Sequence, residues 1–514
     1  MKSLSDASHQ TRIIYLIAGV ISLVMSYWIV SNQAIVNSDA ICYLLGAKEI
    51  GESGVHAAMR LCGQSSWPFY PALIYILTKF SFLSATTSAY LLNAIFTLMT
   101  VLSFITIVKM LGGSQRVLWL AAFVILCAHQ FNSVRQYIVR DHGFWAFYLL
   151  SLIFMLRFLR DQRIGNAWGF SLSLIAATLF RIEGAVFLVL LPLLALFMTT
   201  SWRSRLLAFA KLNSVTISAL FAVSLWVLMH PDQSLYQLGR VPELLNQSTH
   251  GIMMAIERYQ TTKSALIQHV LPHEAARDAG MVWFAVLIGL YFANIISNLS
   301  FVATVLVVYA WVSRVSSRFS PASRLTLVAY LLVNAVICAI FFAERLFFSK
   351  RYLIAMTLIL LLWVPFALEK LLRSDVKSKR RYAAYTAIVL YFSASLGVVL
   401  SIGFSKQYVR VAGNWIAANI PATATMYCND LQLSYYSQHY GRKIFETMGA
   451  TRNIDAVLKT GFTKYDYVAL LINRNRDDRI AMLMSDMHVP LVKDFVNKHG
   501  DHIKIYKMPQ QAVY

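Results

Sequence analysis

Three acidic side chains are conspicuous in the first half of the chain because acids are so sparse there. Asp39 follows the first long apolar run, Asp141 lies between two later runs, and Glu183 interrupts an otherwise apolar stretch. Carboxylates close to a bilayer are costly, so they indicate a site before they indicate packing. Such groups can act as general bases, pair with cations or bind a divalent metal.

Basic side chains accompany these acids. Arg181 precedes Glu183 by two residues, and a further group of cations lies between two late apolar runs. Cations in such positions can bind an anionic ligand, with Arg able to do so in bidentate fashion. The alternatives are contact with lipid headgroups and, for Arg181, a structural turn from which the side chain reaches the headgroups. The basic and imidazole candidates are Arg140, His142, Arg181, Arg345, Lys350 and Arg351.

The elements that must position these residues are transmembrane helices. Of the 514 residues, 58% are hydrophobic and only 14% are charged, whereas a soluble protein carries roughly a quarter charged residues. Several stretches run about 18 or more residues without a charge, which is long enough for a helix to cross the hydrocarbon core. The first, Ile13–Ser31, is too long for the apolar part of a signal peptide and lacks a small-x-small cleavage site, which indicates a retained span.

The apolar runs predict about eleven spans. The third, fifth and sixth are short, and the eighth is long enough to be tilted or broken. The predicted spans are Ile13–Ser31, Ala85–Val108, Val117–Gln130, Gly143–Leu159, Ala167–Phe180, Ala185–Thr200, Leu207–Met229, Met281–Val312, Leu325–Phe342, Tyr352–Leu371 and Tyr382–Ile402.

Lys and Arg orient these spans. With a cytoplasmic N-terminus, every short inner connection is basic and almost free of acids, as the positive-inside rule expects. This accounts for much of the net charge of +22. Topology signals and contact with anionic lipids explain the basic runs better than nucleic-acid binding, for which no motif is present. The same orientation puts Asp39, Asp141 and Glu183 on the outer surface.

The predicted outer regions are two long loops, residues 32–84 and 231–280, two short loops, Asn132–His142 and Glu344–Arg351, and a C-terminal tail. Ser66–Phe80 is aromatic and amphipathic, which is typical of a helix that lies in the membrane interface. Residues 1–403 would form a transmembrane domain and residues 404–514 a small extracytoplasmic domain of the α/β class. In this tail we predict helices at Val409–Asn419, Leu431–Tyr440, Asp455–Lys459 and Asp477–Met487, and strands at Thr425–Cys428, Lys443–Phe445, Tyr467–Ile472 and Asp501–Met508.

Cysteine usage and absent motifs narrow the function classes. Cys42 and Cys62 share the first outer loop, and either a disulfide in an oxidising compartment or two free thiols would fit. The sequence has no CxxC, P-loop, GxGxxG or GxSxG. Their absence argues against an ATP-driven pump, a nucleotide-sugar Rossmann enzyme and a serine hydrolase.

The order of these features resembles the GT-C superfamily of polyprenyl-phosphate-sugar-dependent glycosyltransferases, which includes protein O-mannosyltransferases and the lipid A aminoarabinose transferase. The resemblance covers the layout of the whole chain, although each motif is short. One departure concerns Arg60–Tyr70, which offers only Arg60 and aromatic residues where some relatives have an acid-Lys or His-rich segment, so the acceptor class stays open. The segments that carry the resemblance are Asn37–Tyr43, Arg140–Gly143, Leu179–Gly184, Arg345–Leu353 and Trp415–Pro421.

The resemblance implies roles for the acids. Asp39 would be the catalytic base that deprotonates an acceptor hydroxyl or amine in an inverting transfer, and Asp141 would support it by orienting the acceptor or holding Arg140 or His142. The alternatives are helix caps, with Asp39 capping a helix that begins at Ala40 and Asp141 capping the span at Gly143. Glu183 would pair with Arg181.

The resemblance also implies the ligands. The donor would be a sugar on a polyprenyl phosphate, whose departing phosphate Arg345, Lys350 and Arg351 could neutralise. The acceptor would be a lipid, a glycan or a protein. We expect no metal cofactor, since two carboxylates make a thin ligand set. The expected location is a bacterial inner membrane, within the cell envelope.

Two other classes stay open. The first is a polymerase or ligase of the O-antigen type, which tends to carry paired Arg residues in a large loop and to lack a C-terminal α/β domain. The second is a secondary transporter, which would show repeats and broken helices with charges at the midplane. In this sequence the charges lie near the predicted outer surface and the two halves do not match.

Overall fold

The computed structural model describes residues 2–198, 201–229, 241–346, 349–373, 378–400, 406–451, 465–474 and 479–509. The chain divides into two compact units. Residues 1–29, 90–136 and 140–400 form the first, the membrane unit. Residues 30–89, 137–139 and 401–514 form the second, the head unit. The predicted helix at Asp455–Lys459 lies outside the described residues.

The described elements follow one another as a long helical series and then a short mixed series. In chain order they are α1 (Lys2–Ser31), α2 (Ser38–Ser53), α3 (Val55–Met59), α4 (Phe69–Ser81), α5 (Ala85–Met110), α6 (Gln115–Leu126), α7 (His129–Ser133), α8 (Asp141–Asp161), α9 (Ile164–Phe180), α10 (Glu183–Leu190), α11 (Ala195–Met198), α12 (Trp202–Met229), α13 (Val241–His269), α14 (Ala279–Leu299), α15 (Phe301–Val312), α16 (Pro321–Arg345), α17 (Ile354–Leu361), α18 (Val364–Leu372), α19 (Lys379–Val399), α20 (Gln407–Asn419), β1 (Met426–Cys428), α21 (Leu431–Ser437), α22 (Ile444–Thr451), β2 (Tyr467–Ile472), α23 (Arg479–Asp486), β3 (Leu491–Val496) and β4 (His502–Lys507).

The membrane unit is a bundle of apolar helices, which confirms the predicted polytopic helical fold. Within the described residues, 7 helices are long and apolar enough to cross a membrane, or 8 if the segments Gln115–Leu126 and His129–Gln136, bent by 47°, form one span. Shorter apolar helices lie in two other predicted spans, at Ile164–Phe180 and Glu183–Phe197. The long run Met281–Val312 is broken, because α14 ends before Ser300, whose φ is +74°, and α15 begins after it.

The head unit contains a four-stranded sheet in the order β1-β2-β4-β3. β1 and β2 are parallel, whereas β4 is antiparallel to both of its neighbours. Alternate residues of β2 enter two different cores, since Ala469 packs with α20 and α21 whereas Val468 and Leu470 pack with Met484 of α23. The sheet therefore has helices on both faces, as its nearly continuous apolar central strand requires.

Most predicted elements of the tail are confirmed in type, one predicted strand is wrong, and one strand was not predicted. The predicted strand Lys443–Phe445 is wrong, because Gly441–Lys443 is a 3-10 turn and α22 follows it. A run of three residues is too short for periodicity to separate strand from helix. β3 is missing from the prediction, because Leu491, Val492 and Val496 are all exposed on an edge strand and give no apolar alternation.

The first outer loop packs against the C-terminal domain inside the head unit. Ile35 is part of the core formed by α20, α21 and the sheet. The Val36 N–H donates to Tyr436 Oη at 3.0 Å, and Gln432 Nε2 donates to the Val36 carbonyl at 2.7 Å. The first loop and the tail therefore face the same compartment. The amphipathic segment of this loop is helix α4, which exposes Ile76 and Phe80.

Cys42 and Cys62 form a disulfide in this loop. We predict that peptide mapping of the purified full chain without reduction recovers the Cys42 and Cys62 peptides as one linked species, because the predicted orientation places the loop in an oxidising compartment. The buried Cys428, which has no disulfide, is the internal control and is expected to be recovered as a thiol. Two free thiols at positions 42 and 62 in protein made by an intact host would contradict the predicted orientation.

Candidate anion site and catalytic acids

The charged residues of the membrane unit meet where α8 begins. Asp141 is the first residue of this helix and is buried, and its Oδ1 accepts a hydrogen bond from Arg181 Nη1. The other terminal nitrogen of Arg181, Nη2, donates to Glu183 Oε1. The Arg181 side chain is 11% exposed, so this guanidinium joins two carboxylates almost out of contact with solvent.

Local backbone features bring these three side chains together. Arg181 has an extended backbone that ends α9, and Glu183 begins α10 two residues later, so both side chains lie at one sharp junction. A Cβ at Gly184 would lie 2.6 Å from the Thr178 amide nitrogen, and one at Gly143 would lie 2.4 Å from the Phe180 ring. Glycine at these two positions therefore allows the junction to close against α8.

Two further arginines add positive charge to this group. Arg351 acts electrostatically on Asp141, and Arg140 acts on both Asp141 and Glu183. The group contains three guanidinium groups and two carboxylates, so it carries an excess of one positive charge. The Nη1 atom of Arg140 is buried without a hydrogen-bond partner among the described residues. Such a group is suited to an anion, because Arg binds phosphate and carboxylate with parallel N–H donors.

The ring of Tyr352 contacts two of these cations. Its ring centroid is 4.4 Å from the Arg181 guanidinium carbon and 5.4 Å from that of Arg351. Both distances fall within the range of cation–π attraction, about 6 Å. The edge-to-face contact with Phe341 at 4.7 Å fixes the ring in turn. The tyrosine therefore stabilises both guanidinium groups.

The other two cations of the predicted cluster have different surroundings. Arg345, at the end of α16, is half exposed, stands 3.9 Å from Glu344 and lies over the Phe341 ring. Lys350 is exposed, and its backbone carbonyl accepts a hydrogen bond from Asn298. Of the three predicted cations, Arg351 is the one that acts on the Asp141 carboxylate.

His142 lies inside the bundle. Its Nδ1 is 3.1 Å from Thr97 Oγ1 and its Nε2 is 3.2 Å from the Val134 carbonyl. Since the carbonyl can only accept, Nε2 carries the proton and Nδ1 accepts from the hydroxyl. Both ring nitrogens are thus occupied and the side chain is fully buried. This geometry favours a packing role for His142, and its predicted role in ligand binding stays a prediction.

Asp39 belongs to the head unit. Helix α2 begins at Ser38 with Asn37 as its N-cap residue, so the alternative that Asp39 caps a helix beginning at Ala40 is wrong. Asp39 lies in the first turn, where the helix dipole favours a negative charge. Its Oδ1 accepts a hydrogen bond from Gln64 Nε2 at 3.3 Å. The carboxylate is partly exposed, as a proton acceptor has to be.

Arg135 is a residue that the sequence prediction missed. It is buried in the segment after α7, and its nitrogens donate to Ser22 and Ser26 of α1 and to Asn132 Oδ1, at 2.7 to 3.2 Å. It therefore ties α1 to the segment that leads to Arg140 and Asp141. The signal in the sequence was an arginine without a neighbouring acid, within a segment read as an outer loop.

No group of three or more His, Cys, Asp or Glu side chains within the described ranges is arranged to hold a metal ion. The expectation that the chain uses no metal cofactor stays a prediction.

The membrane unit and the small head domain together define a GT-C-type polytopic membrane fold. The chain is similar in structure to the oligosaccharyltransferase of Archaeoglobus fulgidus in complex with Zn and sulfate, with a TM-score of 0.57 and 13% identity over 92% of this chain and 69% of that one. It is also similar to ArnT of Cupriavidus metallidurans bound to undecaprenyl phosphate, with a TM-score of 0.52 and 12% identity over 97% of this chain and 98% of that one. At such identities the likeness shows the fold. No family model matches the sequence, and no curated protein is significantly similar to it.

The buried ionic group yields a stability prediction. Replacing Arg181 with Ala removes the hydrogen-bonded cation that joins Asp141 and Glu183 in a site with little water, and breaking a buried pair in this way costs about 3–5 kcal/mol. We expect a markedly lower melting temperature for the Arg181→Ala chain in detergent. Arg163→Ala, which removes an exposed pair with Asp161, is the control and should leave the melting temperature nearly unchanged. Equal melting temperatures for the two variants would show that the Arg181 group is not buried.

Proposed function

We propose that this protein is an integral-membrane glycosyltransferase that moves a sugar from a polyprenyl-phosphate carrier to an acceptor on the extracytoplasmic face of a bacterial inner membrane. The GT-C-type fold, shared with an oligosaccharyltransferase and with ArnT bound to undecaprenyl phosphate, supports this reading. A donor delivered by a lipid carrier needs no nucleotide-binding motif, in agreement with the absence of such motifs from the sequence.

The observation that carries the proposal is the surplus positive charge of the group formed by Arg140, Arg181 and Arg351 around Asp141 and Glu183. Buried cations are rarely kept for stability alone, because their desolvation offsets much of the pairing energy. A phosphate that gains negative charge as a sugar leaves is the kind of ligand such a group stabilises. Electrostatic stabilisation of this type is usually the largest single contribution to catalysis.

The reaction is a single displacement. Asp39 takes the proton of an acceptor hydroxyl or amine as that atom attacks the anomeric carbon. The bond between this carbon and the phosphate oxygen breaks, and the polyprenyl phosphate leaves with the electron pair. The configuration of the anomeric carbon inverts. A positioned base contributes about 10²–10⁴-fold to the rate of such a step. Cations near the leaving phosphate stabilise the negative charge that develops there in the transition state.

The base assignment makes a first prediction. Asp39→Asn keeps the shape of the side chain and its hydrogen bonding but removes the proton acceptor, so transfer should fall by about 10²-fold or more. The measurement is transfer from a radiolabelled polyprenyl-phosphate sugar by purified protein, with melting temperature as the control for folding. Undiminished transfer by a folded Asp39→Asn protein would remove Asp39 from the mechanism. Uptake of label into vesicles without transfer would favour a transporter instead.

The donor site makes a second prediction. Arg351→Gln should raise the KM for the donor or lower kcat/KM by about 10- to 100-fold, because a hydrogen bond to a charged group contributes about 1.5–3 kcal/mol. Arg345→Gln is the matched control on the same loop, since its guanidinium is half exposed and faces Glu344. Its kcat/KM for the donor should change several-fold less. The assignment fails if the two variants lose donor affinity equally.

A further inference from the structure

The turn Cys62–Ser65 lies along one face of α2 in the head unit. The Cys42–Cys62 disulfide joins the turn to the helix one turn beyond Asp39. Ser65 is fully buried, and its hydroxyl donates to the Cys42 carbonyl at 3.3 Å. A Cβ at Gly46 would lie 2.6 Å from Ser65 Oγ, so glycine at this position lets the turn approach the helix. A covalent bond, a buried hydrogen bond and a close contact therefore hold the turn in one place.

The same turn brings Gln64 to the carboxylate of Asp39. The Gln64 side chain leaves the backbone between the disulfide-bonded Cys62 and the buried Ser65, and its Nε2 donates to Asp39 Oδ1 at 3.3 Å. Beyond the turn, the rings of Tyr43 and Tyr70 meet edge to face at 5.1 Å and join α2 to α4. The position of Gln64 is thus set by packing on both sides.

A neutral amide suits this position chemically. It restricts rotation of the carboxylate through one hydrogen bond and adds no positive charge. A lysine or arginine there would stabilise the ionised carboxylate and make it a weaker proton acceptor. A small misplacement of a reacting group can cost about 10²-fold in rate, so an orienting hydrogen bond has a large effect for little binding energy.

We propose that Gln64 is a positioning residue for Asp39, held in place by the Cys42–Cys62 disulfide and by Ser65. The inference rests on the proposed function, because it assumes that Asp39 is the base. It adds that transfer depends on oxidation of the first outer loop, since the disulfide fixes the turn that carries Gln64.

The test compares kcat and the donor KM of Gln64→Ala with those of the wild-type chain and of Ser66→Ala. Ser66 directly follows the turn, and its hydroxyl donates to the Gly63 carbonyl rather than to Asp39, so it is the matched control. We expect Gln64→Ala to lower kcat by about 10-fold with an unchanged donor KM and melting temperature, because one oriented hydrogen bond is lost. Ser66→Ala should keep wild-type kcat. Retention of kcat within about two-fold by Gln64→Ala, or an equal loss in both variants, would overturn the inference.

The disulfide supplies a second measurement. The double variant Cys42→Ala/Cys62→Ala should lose kcat to a similar degree, and adding Gln64→Ala to it should cause little further loss, because both changes remove the same constraint. Losses that simply multiply would show that the disulfide and Gln64 act independently, against the proposal. The Asp39→Asn variant tests the proposed base separately from the positioning role of Gln64. If that variant is active, the proposed base is wrong; if it is inactive while Gln64→Ala is fully active, only the positioning role is wrong.

Discussion

The bridge that Arg181 makes between Asp141 and Glu183 is the constraint on which the membrane unit depends. Charges with so little access to water are tolerable only when they are paired and hydrogen-bonded. The starts of α8 and α10 and the end of α9 must therefore converge on one guanidinium. The glycines that follow the two acids, Gly143 and Gly184, are consequences of this convergence, because side chains at these positions would keep the helices apart.

A second buried arginine shows the same requirement met in another way. Arg135 has hydroxyl, amide and carbonyl oxygens as its acceptors, from α1 and from Asn132. These neutral partners satisfy its donors and make it a mechanical tie between α1 and the broken segment before α8. By contrast, Arg181 is paired with charges, and the group around it contains one more guanidinium than carboxylate. In the proposed function, this excess of positive charge is the argument for a ligand at the group around Arg181.

Sequence reasoning could find the spans and the charged candidates, because long apolar runs and isolated charges are signals that a single segment carries. Asp141, Arg181 and Glu183 were identified in this way, and the pairing of Glu183 with Arg181 follows from their spacing. It could not find that Arg181 also reaches Asp141, that Tyr352 contacts two guanidinium groups, or that His142 is enclosed by Thr97 and Val134. Each of these depends on contacts between segments distant in the chain. The edge strand β3 was missed for a different reason, since three of its apolar side chains are exposed and give no apolar alternation.

The two predicted catalytic acids accept hydrogen bonds from different kinds of donor, a guanidinium at Asp141 and a neutral amide at Asp39. Asp141 accepts a hydrogen bond from the Arg181 guanidinium, and Arg351 and Arg140 also act on it. Its negative charge is therefore balanced by the arginines around it. Asp39 accepts a hydrogen bond from a neutral amide and lies partly exposed at the start of a helix. In the proposed mechanism these surroundings favour Asp39 as the base, and Asp141 as the residue that organises the cations near the leaving phosphate.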